Sequence, residues 1–178
     1  MVRMTAAILA ATLAAGAVHG SSQPYAGEDQ RAIASLSPQD IDDLLAGRGW
    51  GFAKPAELNG YPGPTHLLEL AEDLELTEVQ AEAIEAVRVR METDAQALGA
   101  AFVSAEAALD AAFASGEIDA ARLTALTEDA ARIEAALRAR HLAAHLEVKP
   151  LLTRHQIVTY NRLRGYGADE HGGGHGQH

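Results

Sequence analysis

Features that define many enzymes and binding proteins are missing from this chain of 178 residues. It contains no cysteine, which excludes a disulfide framework and a lipid anchor attached through cysteine. It has no Gly-x-Ser-x-Gly sequence and no glycine-rich phosphate loop, so we do not expect an enzyme. Lysine and arginine number 14 against 25 acidic residues, and the net charge is −11. Because the basic residues do not cluster on one face, nucleic acid is not an expected partner.

The apolar run near the start of the chain is shorter than a membrane span. It extends from Thr5 to Val18 and follows a short positive start that contains Arg3. A spanning helix needs about 20 apolar residues, so this pattern favours a cleavable secretory signal. Cleavage is predicted between Ala17 and Gly20, with Gly20 as the preferred last residue. An uncleaved membrane anchor is the alternative.

The sequence predicts one domain with extended ends. We assign residues 1–20 to the signal peptide and 21–63 to a flexible leader with a short helix and a Gly/Pro-rich loop. Residues 64–166 form the helical domain, and the His/Gly-rich tail at 167–178 is predicted to be disordered. Three aromatic residues of the loop either cover the core as a lid, which we favour, or form an exposed arm; they are Trp50, Phe52 and Tyr61.

One five-residue pattern occurs twice, as Leu76-Thr77-Glu78-Val79-Gln80 and as Leu152-Thr153-Arg154-His155-Gln156. In each copy a threonine precedes a helical stretch and a glutamine follows three residues later, which predicts two capped helix starts. The motif residues are Leu76, Thr77, Gln80, Leu152, Thr153 and Gln156.

Together with the export signal, these copies resemble the LTxxQ motifs of small periplasmic stress proteins, the family of the Spy and CpxP chaperones and of periplasmic heavy-metal sensor and resistance proteins. The resemblance covers roughly residues 47–166. It implies a periplasmic location, a cradle-shaped homodimer, and metal binding through histidines in some members.

Apolar residues between the two motifs recur at helical spacing. One stripe runs from Thr77 to about Ala114, a rod of roughly 55 Å, and a break at Ser115-Gly116 is followed by a restart at Asp119. The stripe consists of Ile84, Val87, Met91, Leu98, Phe102, Leu109 and Phe113. The predicted fold class is therefore all-α, a long antiparallel helical hairpin with short flanking helices. Because a lone hairpin exposes its apolar side, we expect a homodimer; a monomeric four-helix bundle is the alternative.

Histidines indicate a metal site at one height along this hairpin. His141 and His145 are four residues apart on one helix, so both project from the same side. Reflection through the turn at Gly116 places His145 near Val87 and His141 near Met91, and His66 falls at the same level. The candidate ligands are His66, His141, His145, Met91, Glu85 and Asp94, with Glu92 nearby and weaker candidates in the tail at His171, His175 and His178. Such a set suits zinc, nickel, cobalt or copper. The alternative is that these histidines are structural and surface residues and that the tail has no binding role.

The sequence leaves three functions open, and none requires a cofactor. The first, which we favour, is a chaperone-like protein that binds unfolded clients without ATP, with possible metal binding. The second is a periplasmic heavy-metal sensor or buffer. The third is an adaptor that docks on an envelope stress-signalling membrane protein.

Overall fold

The computed structural model describes residues 23–166, so the predicted signal peptide and the His/Gly-rich tail lie outside the described residues. Within this range the fold is built from helices and turns, without a strand. The six α-helices are α1 (Pro38–Leu45), α2 (Lys54–Glu57), α3 (Pro64–Glu69), α4 (Glu78–Ala114), α5 (Ala120–Val148) and α6 (Arg154–Leu163). The prediction of a helical fold with one long helix packed against others is confirmed.

The long helices α4 and α5 pack against each other, and the short helices α1, α2 and α3 pack on them. An ion pair of 3.0 Å joins Arg90 to Glu147, and one of 2.8 Å joins Asp94 to Arg140. Along this contact the residue numbers on α5 thus decrease as those on α4 increase. By length and composition α4 is also apolar enough to cross a membrane, with a mean hydropathy of 1.4 over 18 residues. A helix in a packed core passes the same test, and α4 packs against α1, α3 and α5.

Both repeated motifs are helix starts, as their sequence predicts. Thr77 accepts a hydrogen bond from the backbone N–H of Gln80, and the Gln80 side chain accepts one from the backbone N–H of Thr77. Thr153 and Gln156 form the same capping box at the start of α6. Each box satisfies two backbone donors that a helix start leaves open.

The two motifs also meet through their glutamine side chains. The Nε2 of Gln80 donates to Oε1 of Gln156 at 2.9 Å, and the Nε2 of Gln156 donates to Oε1 of Gln80 at 3.1 Å. Each amide also donates to a carbonyl before the other motif, Gln80 to Leu151 at 2.8 Å and Gln156 to Leu74 at 3.3 Å. These two reciprocal hydrogen bonds hold the start of α6 against the start of α4.

The core consists of two apolar clusters along the long helices. One joins the amino-terminal part of the chain to the middle of α4 and α5; its buried members are Ile33, Leu36, Leu44, Phe52, Ala95, Phe102, Ala105, Ala130, Ile133 and Leu137. The other joins α3 and α6 to the opposite end; its buried members are Leu67, Leu74, Ile84, Val87, Met91, Ala144, Val148 and Tyr160. Residues predicted as a flexible leader thus contribute to the first cluster.

The Gly/Pro-rich loop covers the core, as the lid interpretation predicts. Phe52 is buried, and Trp50 packs on Phe102 with ring centroids 5.9 Å apart. The indole N–H of Trp50 donates to Asp40 of α1 at 2.7 Å. Four residues of the apolar stripe of α4 are therefore buried within this chain, Ile84, Val87, Met91 and Phe102, whereas Leu98 is only partly buried. At the end near the turn Phe113 stays 58% exposed.

Two glycines allow α1 to approach α4 closely. A Cβ atom at Gly99 would lie within 2.7 Å of the carbonyl carbon of Leu44 and closer still to its oxygen. Gly47, which ends α1 with a φ of +70°, faces the backbone carbonyl of Glu92 in the same way. The backbones of α1 and α4 touch at these positions because no side chain separates them.

Candidate metal-binding site

A cavity of about 370 Å³ lies where the end of α1, α3, α4 and α5 come together. Its wall contains three of the histidines that the sequence singled out, together with acidic, basic and thioether side chains. The residues that line it are Ala46, Gly47, Arg48, Gly49, Glu57, Gly63, Pro64, Thr65, His66, Arg88, Met91, Glu92, His141 and His145.

His141 is buried on α5 with only 3% of its surface exposed, and Phe52 covers it with a ring-centroid distance of 6.1 Å. Its Nε2 has no hydrogen-bond partner among the described residues. Burial lowers the pKa of His141, and the neighbouring His145 and Arg140 lower it further. The imidazole is therefore neutral near pH 7, which is the form that binds metal ions.

His145 lies one turn further along α5 and is oriented by a backbone group. Its Nδ1 is 2.8 Å from the carbonyl oxygen of Tyr61. A carbonyl only accepts, so Nδ1–H is the donor of this bond, and Nε2 is the ring nitrogen that is not engaged by Tyr61. That Nε2 faces Gly63. An N–H···O=C bond on the far nitrogen is the usual support for a metal-binding histidine.

Glu57 is the acidic residue of the cavity that sequence reasoning missed. It lies at the end of α2 with 9% of its surface exposed. Its Oε2 accepts a hydrogen bond of 2.8 Å from Tyr160, and its Oε1 is 3.2 Å from Nδ1 of His66. A buried carboxylate needs such partners. Only a weak signal in the sequence pointed to burial of Glu57: it is an ionisable residue that lies between two prolines, in a loop with three aromatic residues.

Gly63 keeps open the space between Glu57 and His145. A Cβ atom at this position would lie 2.8 Å from Oε1 of Glu57, 2.8 Å from Cε1 of His145 and 3.3 Å from its Nε2. A carboxylate oxygen and an imidazole nitrogen therefore both border one small volume beside Gly63. Because residue 63 is glycine, it contributes only hydrogen atoms to that volume.

His66 contacts the carboxylate rather than facing the cavity with a free lone pair. A guanidinium nitrogen of Arg164 lies 3.5 Å from its Nε2, and arginine only donates. Nε2 therefore accepts, and Nδ1–H donates to Glu57. In this arrangement His66 holds Oε1 of Glu57, the same oxygen that lies beside Gly63.

The remaining predicted ligands divide between the cavity and the surface. Met91 is buried and lines the cavity, as does Glu92. Glu85 is held by Arg88 at 2.7 Å outside the cavity, and this hydrogen bond lowers the pKa of Glu85. Asp94 pairs with Arg140 on an exposed face. The tail histidines at 171, 175 and 178 lie outside the described residues.

The cavity is therefore lined by nitrogen and oxygen atoms of the kind that ligate metal ions, but their side chains do not converge on one point. Within residues 23–166, no three His, Asp or Glu side chains form a ready-made metal site. An ion would have to pull His141, His145 and Glu57 inward from their present positions. Two imidazoles and one carboxylate match the ligands of zinc and of related transition metals.

No family model, curated protein or solved structure matches the chain. The resemblance to the LTxxQ family therefore remains a prediction from the two motifs.

Proposed function

We propose that the protein is a periplasmic helical stress protein of the LTxxQ kind that binds a divalent transition metal in this cavity and acts as a metal sensor or buffer. The observation that carries the proposal is the buried Nε2 of His141, which lacks a partner among the described residues and belongs to a cavity that His145 and Glu57 also line. A buried polar atom without a partner is costly, and a bound ion would compensate that cost.

Three protein ligands leave a further coordination position open. His141 and His145 supply imidazole nitrogens, and Glu57 supplies the negative charge that partly neutralises the ion. Met91 adds a thioether on the cavity wall, which favours copper among the candidate ions, whereas zinc, nickel and cobalt suit the nitrogen and oxygen set. A sensor additionally requires two shapes whose balance the ion shifts.

Replacing His141 with alanine is expected to weaken zinc and cobalt binding by about 100-fold or more, because loss of one of three ligands exceeds the effect of losing a group that only supports a ligand. The measurement is isothermal titration, together with the visible absorption of bound cobalt, which reports its coordination geometry. Every version of the chain carries glutamine at residues 171, 175 and 178, so that the tail does not bind the ion.

The matched control is His155→Ala, since His155 is exposed on α6 and outside the cavity. This variant is expected to bind as tightly as the parent chain. Unchanged binding in the His141 variant would remove the site.

A chaperone-like function is the second candidate, and an exposed surface of α4 and α5 favours it. An open groove there is lined by Ala97, Leu98, Ala136, Ala139 and Ala143 and by the Asp94–Arg140 ion pair. Leu146 is 62% exposed, and Phe113 is 58% exposed near the turn. Apolar patches rimmed by charges are typical of weak protein-binding surfaces. The same surface would serve a cradle-shaped dimer of two helical hairpins or docking on an envelope stress-signalling membrane protein.

The two candidates differ in how client binding depends on metal. If the chaperone function holds, the protein suppresses aggregation of a denatured client equally with and without zinc. Sedimentation of the same samples is expected to show a dimer. A protein that suppresses no aggregation and sediments as a monomer would contradict this second candidate and leave the metal proposal intact.

A further inference from the structure

Tyr160 connects the candidate metal site to α6. It is completely buried, and its hydroxyl donates to Oε2 of Glu57 at 2.8 Å. The other oxygen of the same carboxylate, Oε1, faces Gly63 and His145 in the cavity. Glu57 thus has one oxygen on the side of α6 and one on the side where an ion would bind.

Helix α6 has two polar anchors on its buried face. Gln156 and Tyr160 are four residues apart, so they lie one above the other on the helix. Gln156 is paired with Gln80 at the start of α4, and Tyr160 with Glu57 at the end of α2. The first anchor does not touch the cavity, whereas the second bonds directly to a residue that lines it. Any change in the position of Glu57 therefore acts on α6 through Tyr160.

We propose that Tyr160 is a positioning residue of the metal site and that it transmits occupancy of the site to α6. This inference rests on the proposed metal-binding function. The hydroxyl holds Oε2 of the carboxylate while Oε1 lies beside Gly63 and the His145 ring, and a bound ion in turn fixes the carboxylate against the hydroxyl. Coupling of this kind is reciprocal: if the Tyr160 hydroxyl strengthens metal binding, metal binding strengthens the attachment of α6.

The test compares the parent chain with Tyr160→Phe, again with glutamine at the three tail histidines. The ring remains in the core, while the hydroxyl loses its bond to Glu57 and its hydrogen bond with the backbone of Gly63. Zinc affinity is expected to fall about 10- to 100-fold, the usual effect of losing a group that supports a ligand. In the parent chain, zinc is expected to slow amide hydrogen exchange in residues 154–163. In the phenylalanine variant saturated with zinc, this slowing is expected to be absent.

Tyr166→Phe is the matched control, because its hydroxyl accepts from Arg164 and does not contact Glu57. Zinc affinity and the zinc effect on α6 are expected to be retained in it. The inference is overturned if the parent chain binds zinc without any change of exchange in α6, or if Tyr160→Phe binds and responds like the parent. A parent chain that binds neither zinc nor cobalt would instead contradict the proposed function. Exchange in the unsubstituted chain gives an answer even if the phenylalanine variant fails to fold.

Discussion

Replacing Gly99 with alanine is expected to lower the free energy of unfolding by about 2 kcal/mol, although alanine is the better helix former. The helix preference alone favours alanine by about 1 kcal/mol. Against this, the added Cβ atom would overlap the backbone carbonyl of Leu44. Overpacking costs typically about 1–3 kcal/mol and more where neither side can give way. Both contacting groups here belong to helix backbones, so the steric effect should win.

The measurement is urea unfolding followed by circular dichroism. Gly49→Ala is the matched control, since a Cβ atom at that position has nothing within 4 Å and the φ of Gly49 is not positive. It is expected to be neutral or stabilising by a few tenths of a kcal/mol. Equal stability of the Gly99 variant and the parent would show that α1 does not approach α4 as closely as described.

The same contact links α1 to the cavity. Leu44 is fully buried in the first core cluster, and the next residues, Ala46 and Gly47, line the cavity wall. If alanine at residue 99 pushes α1 away from α4, the wall opens as well. The stability of the core and the shape of the cavity therefore both depend on the contact between α1 and α4.

Local signals made the helix ends predictable from sequence. Thr77 and Thr153 cap their helices through atoms three residues away, and Asp119 does the same at the start of α5. Such bonds form within one turn, so the residues that form them are adjacent in the sequence. The pairing of Gln80 with Gln156 joins residues 76 positions apart. It depends on how α6 folds back, and the spacing of the motifs does not specify that.

Long helices also made part of the candidate site predictable. Because the rise per residue of a helix is fixed, reflection through Gly116 placed His141 level with Met91 and His145 one turn away, level with Val87. His141, His145 and Met91 all line the cavity. The prediction of Glu85 and Asp94 as ligands rested on their height along α4. Both belong to α4 near that level, but arginines hold them outside the cavity wall.

Irregular segments were the part that the sequence left undetermined. Ile33 and Leu36 face each other across a single isolated bridge, and no periodicity marks them as core residues. Glu57 and Gly63 lie in a loop whose path depends on positive φ values at Trp50, Gly51 and Gly60. A chain with such turns has no fixed rise, so the position of a carboxylate along it cannot be calculated from spacing.

Replacing Gly63 with alanine is expected to abolish metal binding while leaving the fold intact. Its φ of −93° and ψ of 148° suit any residue, so alanine introduces no backbone strain. The atoms that the new methyl group would meet are the ends of two side chains, Glu57 and His145. These can swing aside, unlike the helix backbone opposite Gly99. Swinging aside separates two proposed ligands, so zinc affinity should fall by more than about 100-fold, beyond the effect of losing one supporting group.

Titration with zinc and cobalt measures this effect, and urea unfolding checks that the chain still folds, with an expected loss of about 1–3 kcal/mol from the displaced side chains. Gly49→Ala serves again as control, because Gly49 lines the same cavity and its added methyl group would meet no atom within 4 Å. Both variants carry one extra methyl group in the cavity wall, and only that at residue 63 lies between Glu57 and His145. If both bind zinc equally well, the ion does not occupy the space between those two side chains, and the ligand set proposed above is wrong.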